Sequence, residues 1–210
     1  GMGKTSLMQA ISLAHDHLNI LDITTEMSLG LQEQRYLQIK HKLEVDESDL
    51  SGQDNDIKRI IENEGEERLN EMRQEATGHI DIVTATPYLE DLEELIRRHQ
   101  ADVVIIDPVG KIKTHSGGDA PITTVYKELK DLVRRMGIIV LAVRHIRKSG
   151  MGEQLPSMNH VKGHKVVTEE SDHVFAFGGK RDNAIRQLKR VKGTRSMEFH
   201  TMLYGNPRTR

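Results

Sequence analysis

Apolar residues come in short dense runs separated by stretches with helical spacing. Four runs bounded by turn residues read as strands: residues 19–24, 79–83, 101–107 and 137–143. The last two are nearly continuous in Val and Ile, as expected for strands covered on both faces of a parallel sheet. Between the strands the period lengthens to that of an amphipathic helix. The run Leu7, Met8, Ala10, Ile11, Leu13, Ala14 predicts a helix near the start. Thr86-Pro87 predicts another, with Thr86 as N-cap and Pro87 at the first helical position, continuing through Leu89, Leu92, Leu95 and Ile96. A third runs from about Thr123 through Val125, Leu129, Leu132 and Val133. Strands alternating with helices predict an α/β fold with right-handed crossovers. From Gly178 onward the pattern changes to two antiparallel strands, 184–191 and 197–203, joined by a turn at Lys192-Gly193-Thr194.

Residues 43–75 break the rhythm. They hold twelve acidic and four basic residues (Lys58, Arg59, Arg68, Arg73) and few apolar ones. They read as an acidic helical segment with a solvated face, and 48–56 as a loop within it. No internal repeat and no second domain is evident. The expectation is one domain over residues 1–210.

Composition narrows the class. Thirty Lys and Arg against 32 Asp and Glu give a net charge of −2 over 210 residues. A globally basic nucleic-acid binder is not indicated, although a local basic patch is compatible. Cysteine is absent, which excludes disulfides and zinc–thiolate sites and suits a reducing interior. No apolar run approaches the roughly 18 residues of a membrane span, so no membrane partner is expected. Trp is absent and Phe and Tyr are few, so base-stacking platforms would be scarce.

The chemistry starts at the first residue. Gly1-Met2-Gly3-Lys4-Thr5-Ser6 is the back half of the phosphate-loop pattern G-x-x-x-x-G-K-[ST]. Gly1 and Gly3 would let backbone N–H groups turn toward phosphates, and the helix that follows points its positive end at them. Lys4 would reach the β- and γ-phosphates, with Ser6 in the first helical turn. The Thr5 hydroxyl would hold Mg²⁺, so the ligand is a nucleoside triphosphate with Mg²⁺. Asp107 ends the third apolar run, where a carboxylate serves as the Mg²⁺-side partner of a phosphate loop. Glu26 follows the first run. Ligands gather at the carboxyl ends of strands in open α/β sheets, which places Glu26 to activate the attacking water. His145 ends the fourth run, where it could sense the γ-phosphate.

In register, these motifs resemble the motor domain of DnaB-type replicative ring helicases, within the RecA-like ATPases. Gly1–Ser6 matches that family's first motif. Thr24-Thr25-Glu26-Met27-Ser28, with Gln34-Arg35 downstream, is similar to its "LEMS…QR" motif, in which the Glu is the catalytic base. The strand ending at Asp107 resembles the one that bears the Mg²⁺-site Asp. His145 falls where DnaB has Gln and where phage and mitochondrial relatives often have His. Val161-Lys162-Gly163, followed by Val167-Thr168-Glu169-Glu170-Ser171-Asp172-His173-Val174, resembles "SGAIEQDADVV". Leu188-Lys189-Arg190-Val191-Lys192-Gly193 resembles the late "K-x-R-x-G" motif that presents an arginine finger to the next subunit. The chain departs from the pattern at Asp107-Pro108-Val109-Gly110, which replaces "DYLQ". At the finger an ungapped match falls on Val191, and a one-residue shift offers Arg190 or Lys192, with Arg195 a further candidate.

The resemblance implies a RecA-like P-loop NTPase fold: a mostly parallel central sheet flanked by helices, with C-terminal antiparallel strands. It implies ATP and Mg²⁺ as cofactors, Glu26 and Asp107 as catalytic residues with His145 beside them, and Arg190 or Lys192 acting on a neighbouring subunit. It further implies a homo-hexamer of the full-length protein, single-stranded DNA as partner, a primase as a second partner, and work in the cytoplasm of a bacterial or phage-infected cell. Two loops would line the DNA path, one with Lys111 and Lys113, the other with Lys162 and Lys165; their grip would be through phosphates. Because the phosphate loop is cut at residue 1, the 210-residue chain by itself is expected to hydrolyse ATP weakly and to form no stable ring. The competing reading is a RecA-like regulatory or recombination ATPase that binds DNA or protein without unwinding.

Overall fold

A computed structural model describes residues 4–43, 56–145, 164–178, 185–193 and 200–204. The central layer is a four-stranded sheet of β1 (Ile20–Thr24), β2 (Ile80–Val83), β3 (Val103–Asp107) and β4 (Ile139–Ala142), in the order β2-β1-β3-β4. Every neighbouring pair in it is parallel. In β1 and β3 all five residues are buried, the signature of strands covered on both faces. Strand alternation sends Ile20, Asp22, Thr24, Val103, Ile105 and Asp107 to one face, and Leu21, Ile23, Val104 and Ile106 to the other. The register pairs Thr24 with Asp107 at the carboxyl end.

Helices close each face. On the first lie α1 (Lys4–Leu13), α2 (Leu29–His41) and α3 (Asp56–Thr77), which bury Tyr36, Leu37, Leu69, Met72 and Ala76 against Ile20, Val103 and Ile105. On the second lie α4 (Leu92–Arg98) and α5 (Ile122–Met136). Leu92, Ile96, Val125, Leu129 and Leu132 there pack on Leu21, Ile23, Val104 and Ile106. The helix α6 (His164–Glu170) joins this second core through Val166 and Val167. A separate antiparallel sheet orders β5 (His173–Gly178), β6 (Ile185–Gly193) and β7 (His200–Tyr204) as β5-β6-β7. The α/β class, the parallel central sheet and the antiparallel C-terminal strands are as the sequence predicts.

Three details differ. Thr86 and Pro87 do not open a helix. The chain there is held extended, because the Pro87 carbonyl accepts from Lys113 N–H at 3.1 Å and Leu89 N–H donates to the Lys113 carbonyl at 2.8 Å. A single 3₁₀ turn, Leu89–Asp91, then leads into α4. Gly137 does not start a strand: at φ 70° it is the left-handed C-cap of α5, and its N–H donates to Val133 O. Lys192 and Gly193 are strand rather than turn, because β5 pairs Val174 with Lys192 and His173 with Gly193. The sequence reading did not foresee β5. The loop assigned to 48–56 lies outside the described residues up to position 55, and α3 begins at Asp56; α3 is interrupted at Gly65, φ 87°. Among the described residues no helix is long and apolar enough to cross a membrane.

Candidate nucleotide site

Parallel strands present all their carboxyl ends on one edge, and the chemistry-bearing residues collect there. Asp107 is the last residue of β3 and is only 6% exposed. Thr5, at the start of α1, donates its hydroxyl to Asp107 Oδ2 at 2.7 Å. Thr25 N–H donates to the Asp107 carbonyl at 3.2 Å, which ties the exit of β1 to the end of β3. Glu26 follows directly. His145 leaves the end of β4, and its Nε2 stands 3.1 Å from Glu26 Oε1. The two side chains are 56% and 48% exposed. Since β3 lies between β1 and β4, this pair spans the strand end that carries Asp107.

Electrostatics tie the group together. Burial is the main cause that raises the Asp107 carboxyl above its ordinary value. The Thr5 hydrogen bond opposes it, the Glu26 charge adds to it, and the charges of Lys4 and His145 oppose it. A buried carboxylate against a hydroxyl is a hard-oxygen donor pair of the kind Mg²⁺ takes, with its remaining ligands from phosphates and water. Two further hydroxyls, Thr24 Oγ1 and Thr25 Oγ1, are buried at the same strand end without a protein partner. Among the described residues no cluster of three or more His, Asp or Glu could hold a metal alone.

Residues 2–151 match the family model described as AAA domain. The chain belongs to the AAA domain family. The matched stretch carries α1 and all four strands of the parallel sheet, and ends before β5. This AAA domain shares its fold with a solved ATPase domain (TM-score 0.79, 14% identity, covering 97% of this chain and 78% of that one). It also shares it with a DnaB-like replicative helicase solved in work on its interactions with primase (TM-score 0.78, 14% identity, 97% of this chain and 52% of that one). No curated protein matches. The likeness to DnaB-type motor domains thus holds as a RecA-like fold.

The structure brings Lys4, Thr5, Glu26, Asp107 and His145 to one strand edge, with Ser6 half-buried in the first turn of α1. Gly1, Gly3, Lys162 and Arg195 lie outside the described residues. The finger candidates sit apart, on β6 of the antiparallel sheet. The Lys192 ammonium donates to the carbonyls of Thr168 and Ser171 at the end of α6. The Arg190 side chain folds over Gly193, so close that a Cβ there would meet Arg190 Nε at 3.0 Å. Lys111, Lys113 and Lys165 are exposed. Lys113 lies in the loop between β3 and α5, where its neighbours are an aromatic pair the sequence reading missed. Tyr88 meets His115 edge to face, with ring centroids 4.8 Å apart. They are 27 residues apart in sequence, and the bridge between Tyr88 and Lys113 helps bring them together. The unpartnered Thr24 hydroxyl was missed as well. Its signal was its place, two residues before Glu26 on a strand whose alternate residues face α1.

Proposed function

We propose that the protein is an ATP-hydrolysing motor domain of a replicative DNA helicase, in which hydrolysis drives movement along single-stranded DNA and unwinding of the duplex. One observation carries the reading: Thr5, Asp107, Glu26 and His145, from four separate segments, meet at the carboxyl edge of a parallel sheet. The folds shared with the solved ATPase domain and with the DnaB-like helicase support it. We take residues 1–210 as one RecA-like domain, acting in a homo-hexamer of the full-length protein in the cytoplasm, with single-stranded DNA and a primase as partners.

Lys4 binds the β- and γ-phosphates of ATP as a point charge. Thr5 and Asp107 would hold Mg²⁺, which when bound neutralises phosphate charge and orients the β- and γ-oxygens. Glu26 accepts a proton from the water that attacks the γ-phosphorus; a P–O bond forms, the bond to the β-phosphate oxygen breaks, and ADP leaves with inorganic phosphate. In the structure Glu26 is paired with His145, so it becomes a competent base when His145 turns to the γ-phosphate instead. The charge that develops on the transferring group is met by a basic residue of β6 from the adjacent subunit, Arg190 or Lys192.

The test is ATP hydrolysis by the purified full-length protein with and without single-stranded DNA, beside Glu26→Gln. We expect stimulation by DNA, and a loss of about 10²- to 10⁴-fold in kcat in the variant with nucleotide still bound. Hydrolysis indifferent to DNA would favour the regulatory ATPase. Glu26→Gln turning over at the wild-type rate would remove Glu26 as base.

A further inference from the structure

Glu26 belongs to no regular element. It lies among the four residues between β1, which ends at Thr24, and α2, which begins at Leu29. Its position is therefore set on one side by Thr25, tied to the Asp107 carbonyl, and on the other by how the start of α2 is held. The N-cap of α2 is Ser28, whose side chain makes no capping bond. The hold comes one turn later. Gln32 Nε2 donates to Asp22 Oδ2 at 2.6 Å, and both residues are buried.

Asp22 is a carboxylate in the middle of a core strand, 2% exposed. Its Oδ2 also accepts the Tyr36 hydroxyl at 2.7 Å. That hydroxyl lies 3.4 Å from Ser12 Oγ on α1, and Ser12 in turn donates to the Met8 carbonyl at 3.0 Å. One carboxylate thus joins β1 to two residues of α2, and the Tyr36 hydroxyl it holds adjoins Ser12 of α1. A core position costs a carboxylate its hydration, and hydrogen bonds from two side chains offset only part of that. Apolar residues would fill this layer at lower cost, so stability alone does not account for Asp22.

The same layer leads to the strand edge. Thr5, Gln9 and Ser12 follow one another on a single face of α1; Thr5 bonds Asp107 and Ser12 adjoins Tyr36. Gln9, between them, is fully buried with neither amide atom partnered by protein, as are Gln32 Oε1 and Thr24 Oγ1. Thr24 shares a strand face with Asp22. Buried polar atoms of this kind call for ordered water. A polar seam therefore runs from Thr5–Asp107 along β1 to Asp22 and Gln32.

We propose that Asp22 is a positioning residue: through Gln32 it fixes the first turns of α2, and with them Glu26, relative to Thr5 and Asp107. This rests on the assignment of Glu26 as base. A misplacement of about 1 Å of a reacting group costs on the order of 10²-fold in rate, whereas Lys4, Thr5 and Asp107 do not depend on Gln32.

The experiment compares wild type, Gln32→Leu, Asp22→Leu with its double variant, and Leu37→Ala in the full-length protein. Leu37 is a buried apolar neighbour on α2 and serves as a control for general destabilisation. The readouts are kcat for ATP, the affinity for a fluorescent ADP analogue, and amide exchange. For Gln32→Leu we expect kcat to fall about ten- to a hundredfold with ADP affinity unchanged, and the double variant to lose no more than Asp22→Leu alone. Leu37→Ala should lower Tm and keep kcat. Gln32→Leu retaining kcat, losing ADP affinity in parallel, or behaving like Leu37→Ala would overturn the proposal. A wild type that does not hydrolyse ATP refutes the proposed function instead, and amide exchange then decides. Faster exchange of residues 29–33 in Gln32→Leu, with α5 unchanged, upholds the clamp on α2; unchanged exchange sinks it.

Discussion

Thr5 and Asp107 are 102 residues apart in sequence and 2.7 Å apart in space. Each residue alone is ordinary: a threonine opening a helix, an aspartate ending a strand before a proline. Together they form a donor pair whose carboxylate burial keeps from ionising freely, and the Thr5 bond partly relieves that. Thr5→Ala should therefore weaken the site for the cation in two ways, by deleting an oxygen donor and by leaving Asp107 easier to protonate. The expected outcome is a rise of about tenfold or more in the Mg²⁺ needed for half-maximal tightening of a fluorescent ATP analogue, roughly 1.4 kcal/mol. Affinity measured without Mg²⁺ should change far less. An unchanged Mg²⁺ requirement would mean that the pair is a packing contact.

At the scale of elements, the loop between β3 and α5 is held at both ends and in the middle. Ala120 N–H donates to Ile112 O at 2.8 Å, and Lys113 bridges Tyr88. His115 Nε2 stands 2.9 Å from Asp91 Oδ2, and the His115 backbone N–H donates to Glu90 Oε2 at 3.2 Å. The Asp91 bond raises the His115 pKa above its ordinary value, with Glu90 adding to it. A raised histidine pKa stabilises the folded loop fully below the ordinary value of about 6.5, and the stabilisation is lost as pH climbs through the raised value. Amide exchange of residues 113–119, corrected for its intrinsic pH dependence, should accelerate across that window, and His115→Ala should abolish the effect. This latch was invisible in the sequence because it depends on a non-local bridge. The strands were legible for the opposite reason: Val-Val-Ile-Ile before Asp107 carries its burial in its own composition. Where local signals misled, tertiary bonds won. Thr86-Pro87 has the form of a helix start, but Lys113 holds that backbone extended. The ends of β1 and β3 could be placed from their apolar runs, and so could Glu26 and Asp107. Asp22 could not be recognised as anything but an interruption of a strand, because its meaning lies in Gln32 and Tyr36.

Across the whole molecule, charge decides where a polyanion can sit. The net charge is −2, so long-range attraction to DNA is negligible and any grip must be local. The surface beside the β3–α5 loop is acidic: Glu90, Glu93 and Glu128 line a hollow of about 380 Å³ with Leu89 and Thr124. Arg97 and Arg135 there are tied to Glu93. Lys111 and Lys113, in the stretch that follows Asp107, are exposed. A single strand on the proposed path would therefore meet two lysines within an otherwise acidic surface, which limits affinity. Each phosphate neutralised on single-stranded nucleic acid contributes about 0.7 to the slope of log affinity against log salt. Lys111→Ala with Lys113→Ala should thus lower that slope by roughly 1.4 and weaken binding evenly across base sequences, with ADP affinity untouched. Fluorescence anisotropy of a labelled oligonucleotide over a salt series measures it. A slope unmoved by the double substitution would take the DNA path off this loop and leave the acidic hollow and its latch to some other purpose.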